Sequence, residues 1–152
     1  MSIRITLIYD ATAPGEERVA KDICGELNEC SVNVRGVSSP GDMTAFMSET
    51  TPENCQVLIN INLTGYGNET TGGLAAINRM PMNIVNVITR PVAECEAVLK
   101  KTQSYMAHFV FTDEDEAIKA ENEYPHLWHI TSCKDAEEIA DYVGEMELRY
   151  SK

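Results

Sequence analysis

CQVLININLTGYGNETTGGLAAINRMPMNIVNVITR, residues 55–90, decides the fold. Its two β-branched runs, QVLININ at 56–62 and NIVNVIT at 83–89, lack regular polar alternation, the pattern of strands covered on both faces. Between them, residues 63–73 hold four glycines in eleven positions, which permits positive φ and close backbone approach to a ligand. Leu74, Ile77 and Met80 then recur at helical spacing until Pro81 stops the helix. Strand, polar loop, short helix and strand make one β-loop-α-β unit whose polar residues gather at one end.

The alternation extends in both directions. Residues 3–9 (IRITLIY) form another apolar strand, and Pro14 with Glu16 and Glu17 suits the first turn of a helix with Val19, Ile23, Leu27 and Cys30 inward. SVNVRGV at 31–37 alternates, which predicts a half-exposed strand near an edge. Ser39, Pro40 and Asp42 start a capped helix that buries Met43, Phe46 and Met47 and ends before Pro52. Beyond it come a helix from Arg90 and Pro91, a strand at 106–111, a helix at Thr112 with Asp115 that faces inward through Ala117 and Ile118, a strand at 127–131 and a helix at 135–150.

Six strands alternating with helices over short connections predict one domain, 1–152. Its fold class is α/β, a three-layer doubly wound parallel sheet with helices on both faces, Rossmann-like or flavodoxin-like. The six-strand count favours the dinucleotide-type order 3-2-1-4-5-6 over the flavodoxin-like 2-1-3-4-5, because it leaves no strand over.

A formal charge of -12 argues against a phosphate-backbone partner, since nucleic-acid affinity comes mainly from lysine and arginine releasing counterions. An anionic membrane surface is disfavoured for the same reason, and no apolar run approaches the roughly 20 residues that span a bilayer. MSIRITLIYD begins directly on a strand pattern without a leader, so a cytoplasmic protein is expected. The odd, scattered set Cys24, Cys30, Cys55, Cys95 and Cys133 fits reduced thiols packed as small hydrophobes.

In open parallel sheets the ligand crevice lies beyond the strand carboxyl ends, where strand order reverses. Asp10 and Thr12 in the first loop, Asn62, Thr64, Gly65, Tyr66 and Asn68 in the Gly-rich loop, and Arg90 after the fourth strand are the candidate ligand-binding residues. Arg90 can hold an anion bidentately or pair with Glu94; its loss is expected to spare folding. Asn62 either secures the following loop or faces a ligand; Asp10 is a turn former or dipole partner of the first helix, or else orients a ribose or acts as a base. No dinucleotide, phosphate-loop, nucleophile-elbow or zinc-peptidase motif is present, and His108, His126 and His129 lack ligand spacing, so no metal site is expected.

LIYDATAPGEERVAKDICGEL through LININLTGYGNETTGG resembles the flavodoxins in layout. The resemblance implies Thr12 in a phosphate loop, Tyr66 in a loop that stacks on the flavin, and FMN as cofactor. The chain departs from that pattern: Ala11, Ala13 and Pro14 replace hydroxyls and an amide donor, and Glu16 and Glu17 repel a phosphate. The stretch from the strand at 56–62 through AHFVFTDEDEAIKAENEYPHLWHITSC also resembles the N-terminal half of a two-domain glycosyltransferase, which implies an enzyme component. The expected function is a stand-alone binding module without an organic cofactor. It would hold a small polar or anionic ligand of nucleotide or sugar-nucleotide type, or a protein partner, at the strand carboxyl edge. An FMN electron carrier and a glycosyltransferase component are the alternatives.

Overall fold

The computed structural model describes residues 3–28, 30–62, 82–101, 107–127 and 129–150; the Gly-rich loop and short helix expected within 63–81 lie outside them. Six strands, β1 (Arg4–Asp10), β2 (Ser31–Val37), β3 (Val57–Ile61), β4 (Asn83–Ile88), β5 (Ala107–Phe111) and β6 (His129–Ser132), form one all-parallel sheet. Among the described residues five helices cover it: α1 (Glu16–Glu26), α2 (Pro40–Glu49), α3 (Val92–Lys101), α4 (Glu114–Glu123) and α5 (Ala136–Tyr150). None of them is long and apolar enough to cross a membrane.

Period-two alternation sends each strand's side chains to two separate cores. Ile8, Leu58, Ile84, Phe109 and Phe111 pack under α2, α3 and α4, while Leu7, Ile59, Val85 and Val110 pack under α1 and α5. Because both faces are covered, β3 and β5 are buried at every position. β2 is half exposed and forms one edge, as its alternating sequence predicts.

The strand order is β2-β1-β3-β4-β5-β6, which corrects the 3-2-1-4-5-6 expectation. Counting strands assumes two halves of three. Here β3 joins β1 directly, and every later strand adds on that side, so the order reverses after β2 and the switch point lies between β1 and β3.

Three local expectations also change. α1 starts after Pro14: Gly15 takes the N-cap position at φ 81, a left-handed geometry that glycine adopts without steric cost. Asp113, one residue beyond Thr112, caps α4 by accepting the Asp115 and Glu116 amides at 2.8 and 3.3 Å. Ile118 is 49% exposed, because the inward stripe of α4 runs Ala117, Ala120 and Tyr124. The α2 start stands as expected, with Ser39 Oγ accepting the Asp42 amide at 3.1 Å and Asp42 Oδ2 accepting the Ser38 amide at 2.9 Å.

None of the five cysteines is in a disulfide. Cys55, Cys95 and Cys133 are buried, and burial pushes each thiol up, that of Cys133 to about 11. Since the thiolate is the reactive form, alkylation of the folded protein at pH 8 is expected to modify the partly exposed Cys24 and Cys30 first. The other three should react only on unfolding, a difference that mass spectrometry of timed samples reads directly.

Candidate functional site

At the carboxyl edge, β1 runs out into an Asx turn. Asp10 Oδ1 accepts the Thr12 amide at 2.8 Å and the Thr12 hydroxyl at 2.6 Å, while the Ala13 amide closes on the Asp10 carbonyl at 3.1 Å. This turn delivers Gly15 and the first residue of α1, Glu16.

Glu16 is the residue that sequence reading missed. It sits four residues before Ala20 and seven before Ile23, on the buried stripe of α1, and its side chain is only 4% exposed. Its Oε1 accepts the Asp10 amide at 3.1 Å, and its Oε2 accepts Arg90 Nη2 at 2.7 Å. Burial pushes the carboxyl above its ordinary value, outweighing the Asp10 amide and the Arg90 guanidinium, which pull it down; the Asp10 charge raises it further and the Asn62 amide lowers it.

Arg90 therefore pairs with Glu16, across the end of β3, and not with Glu94 on its own helix. The spacing of Arg90 and Glu94 favours a local pair, but the buried acid offers a stronger field. The Arg90 side chain is 42% exposed, and its remaining N–H groups have no acceptor among the described residues. Glu16 thus fixes one arm of a guanidinium fork whose other donors stay available.

Between these two lies Asn62, at the end of β3, with φ 51, a conformation that asparagine tolerates better than other side chains. Its amide N–H donates to the Val87 carbonyl at 2.7 Å; its side chain donates to Thr89 Oγ1 and accepts the Thr89 amide, both at 2.7 Å. Asn62 thereby clamps the end of β4 and sets the start of the Arg90 segment. A further tie comes from α4, where Glu116 Oε2 accepts the Val92 amide at 2.9 Å at the start of α3.

Asp10, Asn62 and Arg90 are thus brought to one edge at the β1/β3 switch point, joined through Glu16, with Thr12 in the adjoining turn. Thr64, Gly65, Tyr66 and Asn68 lie outside the described residues. The edge can hold a polar molecule by charge and hydrogen bonds. The fold makes this a doubly wound parallel α/β protein. Neither a family model nor a curated protein matches the chain.

Proposed function

We propose that the chain is a binding module that holds a small polar, anionic ligand at the carboxyl edge of the sheet, over Asp10, Asn62 and Arg90. The observation that carries this reading is the half-exposed Arg90 fork, fixed at the switch point by a buried carboxylate and left with unengaged donors. A guanidinium so held loses little freedom on binding and suits a carboxylate or phosphate bidentately. The Asn62 clamp supports the same reading, because it keeps a left-handed backbone beside that fork.

Against an FMN carrier stands Glu16, whose carboxylate occupies the N-terminal end of α1, where a mononucleotide phosphate would sit on a fold of this order. A cytoplasmic location belongs to the same reading, supported by five cysteines without a disulfide.

Titration calorimetry with nucleotides, sugar nucleotides, simple carboxylates and flavins tests it. Saturable binding of an anionic member is expected. Arg90→Lys, which keeps the charge opposite Glu16 but loses the fork, should weaken that binding about tenfold. Silence across the whole panel, or binding indifferent to Arg90→Lys, would remove the reading.

A further inference from the structure

At the opposite end of the sheet, a groove of about 380 Å³ opens between the first residues of β1 and β2 and the C-terminal end of α2. Arg4, Thr6, Ser31, Asn33, Arg35 and Glu49 give it a polar lining. Parallel register explains the composition: Arg4 stands beside Ser31 and Thr6 beside Asn33, so alternate residues of two neighbouring strands meet on one face at the edge of the sheet.

The charges there are unequal. Arg35 is satisfied, donating from Nη1 to Glu49 Oε2 at 2.7 Å and lying 5.5 Å from the Phe46 ring centroid. Arg4 is not. Every other lysine or arginine whose side chain is described has a carboxylate at 3.9 Å or less. Arg4 alone among them has none among the described residues, in a chain of formal charge -12. Its backbone is nevertheless fixed, the amide donating to Gln56 Oε1 at 2.8 Å and the carbonyl accepting the Gln56 amide at 2.9 Å. Beside it, the Ser31 hydroxyl and the Asn33 amide have no hydrogen-bond partner among the described residues.

An acidic chain that pairs its other described cations and leaves one uncompensated, on an anchored strand start and over unengaged polar groups, has the composition of a site for an external anion. We propose that this groove is a second binding site, for a small polar molecule with a single carboxylate or phosphate group. Arg4 takes the oxyanion, and Ser31 and Asn33 hydrogen-bond the rest of the molecule. Glu49 cancels Arg35, so one net positive charge remains and one negative group is accepted. The two sites are separate, because Arg4 and Asp10 stand at opposite ends of β1, roughly 20 Å apart at the rise of an extended strand.

The test is amide chemical-shift mapping of the full chain with inorganic phosphate in one arm and acetate in the other. Saturable shifts at the starts of β1 and β2 are expected, separate from any response near Arg90, and the arm with the tighter curve at β1 and β2 identifies the group. Arg4→Ala should weaken that response about tenfold or more, and Arg4→Lys by less, whereas Arg90→Lys should leave it unchanged. Because Arg4 is exposed, both variants should keep the wild-type spectrum elsewhere. Failure of both anions to shift these amides, or equal curves for wild type and Arg4→Ala, would overturn the proposal.

Discussion

Asn62→Ala is expected to destabilise the protein by about 3 kcal/mol, from two separable causes. The first is conformational: φ at this position is 51, and an alanine held in the left-handed region costs roughly 1–2 kcal/mol. The second is the loss of an acceptor. The Thr89 amide gives its hydrogen to Asn62 Oδ1 at 2.7 Å, and a backbone donor left without a partner in a partly buried place costs roughly 1–3 kcal/mol. For a chain of this length the fall in Tm is on the order of 10 °C. Asn62→Gly separates the terms, since glycine accepts the backbone geometry while still lacking the amide; it should recover about 1 kcal/mol. Thr89→Ala removes only the hydroxyl that accepts from Asn62 Nδ2 and should cost about 1 kcal/mol. Chemical denaturation of the three variants decides the matter: equal midpoints for Asn62→Ala and Asn62→Gly would show that the left-handed backbone carries no cost.

What could be read from the sequence divides along the range of the interaction responsible. β2, with its alternating valines, and α2, with Ser39, Pro40 and Asp42 at its start, are fixed by neighbours within a few residues, and both stand where their patterns put them. The parallel sheet and its two helical layers follow from unalternating strands joined by short crossovers. Strand order is different in kind. Right-handed crossovers are satisfied whether β3 joins β1 or lies beyond β2, so the choice rests on packing between segments distant in the chain. The site shows the same division. Asp10, Asn62 and Arg90 were legible because each follows an apolar run, yet their connection was not, because it passes through Glu16, 74 residues from Arg90. A glutamate in a first helical turn is usually a solvated dipole partner. Only its phase with Ala20 and Ile23 marks it as inward, and that signal competes with the general rule that glutamate stays outside. Ile118 fails in the opposite sense, an apolar residue one position off the stripe of α4.

Arg90→Ala is expected to cost about 2–3 kcal/mol at neutral pH, against the expectation from sequence that folding would be spared. Removing one partner of a fully buried pair costs about 3–5 kcal/mol; the lower figure applies because Arg90 is 42% exposed and its truncation admits water to the carboxylate. Glu16 already has a folded-state value raised above its ordinary 4.5, chiefly by burial. Its contribution to stability is therefore fully present below about 4.5 and is lost as pH rises through the raised folded value, the folded state binding more protons in between. Without Arg90, one of the influences holding that value down is gone, so the window widens upward and the charged carboxylate is less supported at neutral pH. The deficit of Arg90→Ala relative to wild type should accordingly be largest near neutrality and shrink as pH falls towards 4.5 and Glu16 takes up its proton. Glu16→Gln in the Arg90→Ala background should restore most of the loss at pH 7, since glutamine has no charge to bury and its carbonyl can still accept the Asp10 amide. Urea denaturation of wild type, single variant and double variant between pH 4.5 and 8 measures all three effects. A deficit that stays constant with pH, or one that Glu16→Gln does not relieve, would show that Arg90 supports the fold through its packing and not through the buried carboxylate.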